Sequence, residues 1–404
     1  MPMRILIACY TFPPSSGIGG RRWAKFAKYL QRAGAEVTMV AAAGTDNNSP
    51  WANDVVGINQ TRFISRYPII LTGTPKSVFD RLWYRLQLLR MRWLSKGTPY
   101  DRALLDRDNY KQTIRQEIAR FNPEVIIATG APFRILSFTA ELRLEYPEIK
   151  FFADFRDPWT WGEAFGYNQL NPKRLRHEQK MEQNVVQVFD GIWSPWSEII
   201  TTLSEKYPSQ AHKFSQLPHA FDLNDLPPSN SRAMLGQSDT VRIIYGGTIY
   251  KHSREHFEFL ARFVSRSSGR VVWQIYAQPA PNWLVHFSGS EVKAPLASQV
   301  FFAEAAQSDW LVLIIPPHAV NGLPTKVLEY AALGKPIVML GHRGDLSDFV
   351  LRNKLGLFAE SEADLSKILF SNFAPAMDKA QLEAYRFDKV TARLLECIAE
   401  TRSK

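Results

Sequence analysis

The residues best suited by type and spacing to do chemistry lie in one stretch late in the chain. Thr325, Lys326 and Glu329 occupy the first turns of a predicted helix, which follows a loop rich in Gly and Pro. The N-terminus of a helix offers unpaired N–H groups and partial positive charge to an anion such as a diphosphate. A carboxylate one turn further on can hold sugar hydroxyls. The pattern predicts a nucleotide-sugar pocket; an ordinary amphipathic helix is the alternative.

The elements around these residues form a strand–loop–helix–strand unit. The apolar run Trp310–Ile315 is a predicted strand, Thr325–Leu333 a predicted helix and Pro336–Leu340 a further strand. Such a unit belongs to a parallel sheet, in which ligands bind beyond the carboxyl ends of the strands. The sequence is therefore predicted to fold as an α/β protein.

A similar unit opens the chain. Met3–Cys9 is a predicted strand, a glycine-rich loop follows, and Gly19–Gln31 is a predicted helix. Gly19 and Gly20 would let the backbone approach a phosphate, because side chains would keep it away. Arg22 stands where a dinucleotide-binding fingerprint needs its third glycine, which argues against an oxidoreductase. A tight turn followed by solvated arginines is the alternative.

A third group of polar residues follows the predicted strand Lys150–Asp154. Asp154, Arg156 and Asp157 precede a loop with four aromatic residues. Carbohydrate needs fixed acceptors for its hydroxyls and rings for its apolar faces, so this segment is predicted to bind an acceptor sugar. Structural capping and ion pairing by the same residues is the alternative. The aromatic residues are Trp159, Trp161, Phe165 and Tyr167.

Composition restricts the class of protein and its partners. The 404 residues include two cysteines, and no apolar run reaches the roughly 18 residues that span a bilayer, so we expect a cytoplasmic protein. The net charge is +10, and residues 62–120 hold 13 Lys and Arg against 5 Asp and Glu. Within them Lys76–Lys96 is a predicted basic amphipathic helix. Its apolar face either meets an anionic membrane or packs on the domain.

Two of these stretches resemble the GT-B glycosyltransferases of family 4. The opening Y-T-F-P-P with its glycine pair and the stretch P-T-K-V-L-E-Y-A-A-L-G-K-P-I-V are similar to the donor-site segments of that family. The resemblance implies a GT-B architecture, with two Rossmann-like parallel-sheet domains facing across a cleft. The domains would be residues 1–218 for the acceptor and 219–376 for the donor. Residues 377–404 would form a terminal helix that crosses back to the first domain.

The same resemblance implies which residues bind the donor. In the Glu-x7-Glu motif, Glu329 falls on the second Glu and Asn321 on the first. Thr248 takes the place of the usual Arg, so Lys251 and Arg254 become the candidate cations. The implied donor-binding set is Gly19, Gly20, Arg21, Arg22, Gly247, Thr248, Lys251, Arg254, His318, Asn321, Gly322, Leu323, Pro324, Thr325, Lys326 and Glu329. The implied catalytic candidates are Asp154, Arg156, Asp157 and Arg254.

No metal cofactor is expected. Asp106-Arg-Asp108 is a literal Asp-x-Asp motif, but it stands at a predicted helix start and fits an N-cap better. Fixed cations such as Arg254 and Lys326, with the helix N-terminus at Thr325, would then stabilise the departing diphosphate. The resemblance further implies retention of the anomeric configuration.

The predicted function is transfer of a sugar from a nucleotide-sugar donor to a glycan or lipid-diphosphate-linked acceptor, in bacterial surface polysaccharide synthesis. The enzyme would be cytoplasmic, or peripheral at the inner face of the membrane through residues 76–96. A nucleotide-sugar epimerase of the same fold is one alternative, and a non-catalytic basic binder of lipid or nucleic acid is another. Nucleic acid is not expected as a partner.

Overall fold

The computed structural model describes residues 2–15, 18–44, 49, 51–163, 166–228, 240–277 and 281–402. The chain divides into two compact units. The first is Met1–Pro218 together with Thr391–Lys404, and the second is His219–Val390. Residues 229–239 lie outside the described residues.

The first unit is built on a parallel sheet. Its strands are β1 (Arg4–Ala8), β2 (Glu36–Ala42), β3 (Asn59–Phe63), β4 (Val125–Gly130), β5 (Lys150–Phe155), β6 (Gly191–Ser194) and β7 (Phe214–Gln216). Its helices are α1 (Arg21–Arg32), α2 (Val78–Leu94), α3 (Arg107–Phe121), α4 (Arg134–Arg143), α5 (Pro172–Val188) and α6 (Ser197–Lys206). The strand order is β3-β2-β1-β4-β5-β6-β7, so the direction of winding reverses between β1 and β4.

The second unit repeats this plan. Its strands are β8 (Val241–Gly246), β9 (Val271–Tyr276), β10 (Ser290–Lys293), β11 (Trp310–Ile315), β12 (Ile337–Gly341) and β13 (Gly356–Phe358). Its helices are α7 (Arg254–Arg266), α8 (Ser298–Ala306), α9 (Thr325–Leu333), α10 (Asp345–Arg352), α11 (Glu362–Leu369) and α12 (Lys379–Glu383), followed by α13 (Phe387–Arg402), whose later turns belong to the first unit. The order β10-β9-β8-β11-β12-β13 reverses between β8 and β11.

Burial on both faces of each sheet explains the apolar strands of the sequence. Residues Ile5–Ala8 of β1 and all six residues of β11 are buried. In a parallel sheet, helices cover both faces, so the central strands are apolar throughout rather than alternating. The prediction of an α/β protein with two parallel-sheet domains is confirmed. None of the described helices has the length and apolar character needed to cross a bilayer.

The helix α5 was not predicted, and its composition explains why. Its inward-facing side chains include Glu178 and Glu182, both with no exposed surface, where an ordinary core helix has apolar residues. The apolar periodicity that marks a helix is therefore weak here. The usable signal is at the start, where the Asn171 side chain accepts a hydrogen bond from the Arg174 N–H and Pro172 occupies the first turn.

Candidate functional site

The carboxyl edge of the second sheet contains the central residues of the predicted donor site. β8 ends at Gly246, and Gly247 follows with a φ of +142°, a conformation that residues with side chains rarely adopt. A Cβ on Gly247 would lie 2.6 Å from Lys326 Nζ. Glycine is therefore favoured at position 247 by its backbone conformation, and a side chain there would displace the amine of Lys326.

Lys326 lies half-buried in the first turn of α9. Its Nζ is 4.6 Å from the centre of the Tyr245 ring, where the ring quadrupole attracts a cation. Burial lowers the pKa of Lys326 to about 8, and the charge of Glu329 opposes that shift. No carboxylate forms an ion pair with Lys326 in the described parts of the chain. The amine is thus held in place by a ring rather than neutralised by an acid.

The start of α9 adds further groups that can bind an anion. No side chain at Pro324, the residue before the helix, caps the first N–H groups of α9. Such N–H groups, together with the helix dipole, bind phosphates well. Glu329 follows one turn after Thr325 and is 6% exposed. One short helix therefore presents an amine, N-terminal N–H groups that no side chain of Pro324 caps, and a carboxylate. This combination suits a ligand with both phosphates and hydroxyls.

The other predicted donor residues of this unit lie in the loops at the same edge. Arg254 is the first residue of α7; its Nε donates to Glu258 Oε1 at 2.6 Å, and its guanidinium lies 5.1 Å from the centre of the Trp283 ring. The backbone oxygen of Thr248 accepts a hydrogen bond from the Tyr245 hydroxyl at 2.8 Å. Lys251 and Asn321 are exposed, and Gly322, Leu323, Pro324 and Thr325 are half-buried. The side chain of His318 lies outside what the structure describes.

A group with metal-ligand chemistry also occurs in this unit. One ligand atom from each of Glu255, His256 and His342 lies within 4.8 Å of the others. His342 directly follows β12, and its ring centre is 5.4 Å from that of His256. Burial lowers the pKa of His256, and a neutral imidazole is the form that binds metal. Imidazole and carboxylate ligands would suit Zn²⁺, but the group supplies only three ligands.

At the carboxyl edge of the first sheet, Arg156 fastens two loops together. Its guanidinium donates to the backbone oxygens of Gly130 at 2.8 Å, Ala131 at 2.6 Å and Gly19. A Cβ on Gly19 would lie 2.9 Å from Arg156 Nη1, so the close approach favours glycine. Gly20 is required by backbone contact, because its Cβ would lie 2.9 Å from the Cα of Phe12. Arg156 therefore positions the loop after β1 against the loop after β4.

Asp154 and Arg22 form a buried pair beside these loops. Arg22 Nε lies 3.2 Å from Asp154 Oδ2, and Arg22 also donates to the backbone oxygen of Leu217 at 2.7 Å. The indole N–H of Trp23 donates to Asp154 Oδ2 at 2.7 Å, and the Thr129 hydroxyl donates at 3.4 Å. Asp154 has no exposed surface. Both charged groups are occupied by partners inside the unit, as expected for residues that hold a fold together.

Asp157 differs from Asp154 in being only half-buried. Burial raises the pKa of its carboxyl group and the charge of Asp154 adds to the rise, while Arg156 and an N–H of Ala131 oppose it. A raised pKa brings a carboxyl group closer to the range in which it can exchange protons at neutral pH. Of the three predicted acceptor-side residues, Asp157 therefore has the environment best suited to proton transfer. Its role remains a prediction.

Comparison with known proteins identifies the architecture. No protein-family model and no curated protein matches the sequence. A sucrose-phosphate synthase from Thermosynechococcus elongatus is 12% identical with a TM-score of 0.65, over 98% of this chain and 98% of that chain. Anabaena Alr3699/HepE in complex with UDP and glucose is 14% identical with a TM-score of 0.59, over all of both chains. The chain has the GT-B fold. A UDP-N-acetylglucosamine 2-epimerase is 12% identical with a TM-score of 0.55, over 98% of this chain and 95% of that chain.

The aromatic loop of this GT-B chain does not have the predicted exposure. Trp159 has no exposed surface and stacks on Phe133 with ring centres 4.8 Å apart, and Tyr167 packs edge-on against the same ring at 5.8 Å. Neither ring can stack on a sugar, so that expectation was wrong for these two residues. They are core residues of the first unit, because both pack on Phe133, the residue before α4. Trp161 is half-buried, and Phe165 lies outside the described residues.

The predicted role of Asp106 also needs correction. Asp106 does precede α3, but its side chain does not cap that helix. Its carboxylate accepts hydrogen bonds from the Arg66 N–H at 2.6 Å and the Ser65 hydroxyl at 2.8 Å, and so holds the loop after β3. Asp108 is 85% exposed at its side chain and pairs with Arg107. The Asp-x-Asp motif is therefore divided between a buried structural acid and a solvated one.

Sequence reasoning overlooked two aromatic residues that hold the candidate cations. Tyr245 supports Lys326, and Trp283 lies against Arg254. A local signal existed for Tyr245, because it stands near the carboxyl end of a predicted strand, immediately before a glycine pair. Trp283 offered no such signal, since it lies about 30 residues from Arg254 in an irregular segment.

Proposed function

We propose that the protein is a glycosyltransferase that moves a sugar from a nucleotide-sugar donor to a glycan or lipid-linked acceptor. The observation that carries the proposal is the arrangement of Gly247, Lys326 and Glu329 at the carboxyl edge of a GT-B sheet. The cation and the start of α9 match a diphosphate, and the carboxylate matches hydroxyls. HepE, which has the same fold, was solved with UDP and glucose, so UDP-sugars are the first donors to test.

In this proposal the second unit stabilises the leaving group. Negative charge grows on the diphosphate as its bond to the sugar breaks, and Lys326 and the N–H groups of α9 offset it. Arg254 can add to this through its terminal guanidinium N–H groups, since its bond to Glu258 uses only Nε. Asp157, in the first unit, is the candidate to accept the proton of the acceptor hydroxyl. Retention of configuration rests on the resemblance of the donor helix to family 4 enzymes.

For the acceptor we propose a lipid-diphosphate-linked glycan, as in bacterial surface polysaccharide synthesis. The support is a link between the basic helix α2 and the acceptor-side loop. Glu178 accepts hydrogen bonds from the Thr98 N–H, just after α2, and from the indole N–H of Trp159, two residues after Asp157. A lipid-linked acceptor delivered at α2 would thus meet a surface that is fixed relative to Asp157. In this proposal the enzyme acts at the inner face of the cytoplasmic membrane.

A nucleotide-sugar epimerase is the second candidate, because the UDP-N-acetylglucosamine 2-epimerase has the same fold. An epimerase would consume the donor without any acceptor and would release no nucleoside diphosphate as a final product. A transferase needs an acceptor for rapid turnover. Product analysis with and without an acceptor glycan therefore distinguishes the two.

The donor site is tested by calorimetry with UDP-, GDP-, ADP- and dTDP-sugars. We expect one class to bind, and Glu329→Ala to weaken its binding by about 1.5–3 kcal/mol, the usual value of hydrogen bonds to a charged group. Glu304→Ala, an exposed carboxylate of α8, is the matched control and should bind as wild type. Unchanged affinity in folded Glu329→Ala would remove Glu329 from the site.

A further inference from the structure

The helix α2 is oriented with its apolar face towards solvent. Gln87 and Met91 are its buried residues and mark the face that packs on the unit. With about 3.6 residues per turn, the opposite face carries a row of apolar side chains. Phe79 is 86% exposed and Trp93 84% exposed. The exposed apolar residues of the helix are Val78, Phe79, Leu82, Trp83, Leu86, Leu89, Trp93 and Leu94.

Both ends of this helix are nevertheless well secured. At its start, Ser77 and Asp80 form a capping box, with the Asp80 N–H 3.0 Å from Ser77 Oγ and the Ser77 N–H 2.9 Å from Asp80 Oδ2. At its end, the Arg174 guanidinium donates to the backbone oxygens of Arg92, Ser95 and Gly97. Helices in proteins usually gain their stability from burial of the apolar face. Here that face is left uncovered, and the caps and the polar side hold the helix.

The charges of the helix lie beside and within the apolar face. Arg81, Arg85 and Arg92 lie along one side of it, and Arg90 lies between Phe79 and Trp83 around the helix. All four are exposed, and none forms an ion pair within the described residues. Residues 76–96 contain six Lys and Arg and a single acid, Asp80, whose carboxylate is engaged in the capping box. The surface therefore combines unneutralised positive charge with an exposed apolar face.

A further exposed apolar residue precedes the helix. Ile69 is 68% exposed in the short 3-10 turn before α2, and this turn contacts the helix. Exposed contiguous apolar surfaces of this kind mark sites of interaction, because scattered single residues would be the normal case. The surface is the outer side of one helix, and a helix surface of this kind is convex.

We propose that α2 lies in the interface of an anionic lipid bilayer, with Phe79, Trp83 and Trp93 inserted among the lipid chains. An anionic surface complements the unpaired arginines, and a bilayer can receive a convex apolar helix along its whole length. Tryptophan is favoured at that depth because its ring is amphipathic. A second copy of the chain fits less well, since a symmetric contact through α2 would place arginines against arginines. The proposal deepens the acceptor side of the proposed function, and because the binding requires nothing of the donor site, it can be tested apart from sugar transfer.

Vesicle co-sedimentation of the full-length protein tests the proposal. We expect binding to vesicles of phosphatidylcholine with phosphatidylglycerol, and much weaker binding to phosphatidylcholine alone. High salt should weaken the binding without abolishing it, because salt does not screen apolar burial. The variant R81Q/R85Q/R92Q should lose binding on the order of a hundredfold, from about fivefold for each arginine. The variant F79S/W83S/W93S should lose the part of the vesicle binding that survives high salt.

Controls keep the outcomes separate. L144S/V300S, which changes two exposed apolar residues away from α2, should bind as wild type. Quenching of tryptophan fluorescence by brominated lipid should fall in W83F/W93F while vesicle binding persists. The proposal is overturned if wild type ignores anionic vesicles, if F79S/W83S/W93S binds them normally at high salt, or if that variant unfolds because its rings belong to a core. It is also overturned if the apolar face instead joins two copies, seen as a dimer by sedimentation that the same substitutions abolish.

Discussion

The carboxyl edges of the two sheets differ in whether their charged side chains are paired. In the first unit, Arg22 and Asp154 form a buried ion pair, and Arg156 donates hydrogen bonds to three backbone oxygens. In the second unit, Lys326 rests on an aromatic ring without a paired acid in the described residues. Buried charges that are fully paired stabilise one arrangement of loops, whereas an unpaired cation beside open N–H groups is available to a ligand. The same fold thus supplies a frame in one unit and, in our proposal, a binding site in the other.

The largest effect that we predict concerns the frame. Asp154→Ala should lower the free energy of unfolding by about 3–5 kcal/mol, because it leaves Arg22 buried without its partner. Urea denaturation measures this change. Asp108→Ala, which removes an exposed acid, is the matched control and should change stability by less than about 1 kcal/mol. If the two variants were equally stable, the frame would not depend on the buried pair.

Removing the cation of the second unit should affect activity rather than folding. Lys326→Ala should lower kcat about 10²–10³-fold, the usual loss when one stabilising group is removed from a developing anion. Its melting temperature should stay close to that of wild type. Lys335→Ala, which removes a half-buried lysine just beyond the other end of α9, is the control and should keep full activity. A Lys326→Ala enzyme with normal kcat would mean that the cation does not meet the leaving group.

The pH dependence of donor binding sharpens the same contrast. Lys326 in the free protein has a pKa of about 8, so it is charged below that pH and loses its charge above it. Since a diphosphate binds the charged form, affinity should be constant up to about pH 7 and should fall as the pH rises past about 8. Calorimetry at pH values below about 7 and above about 8 measures this loss of donor affinity. Lys326→Arg should bind without this fall, because arginine stays charged; an unchanged profile in that variant would assign the titration to another group.

The last prediction is that a metal chelator has no effect on turnover. If Lys326 and the start of α9 stabilise the leaving group, turnover should be the same with and without EDTA. The residues to examine if EDTA does abolish activity are Glu255, His256 and His342, which lie within ligand distance of one another. If added metal then restored the turnover of the wild type but not that of His256→Ala, the metal-free mechanism would be wrong.

Local sequence patterns predicted the elements of the donor site closely. The strand over Trp310–Ile315 and the helix over Thr325–Leu333 have the predicted bounds. Apolar runs, glycines and helix starts act within a few residues, so they can be read without knowing the rest of the fold. The chemical types of Lys326 and Glu329, one turn apart, are likewise properties of the sequence alone.

What surrounds those residues was decided by the tertiary structure. The sequence presents Asp154, Trp159 and the apolar face of α2 as similar candidates for binding, yet the first two are buried and the third is exposed. Burial depends on which distant segments pack together: Arg22 reaches Asp154 across 132 positions, and Phe133 lies beneath Trp159. An amphipathic pattern states that a helix has an apolar side, but only the packing of the other elements determines whether that side is covered by the protein or left to a partner.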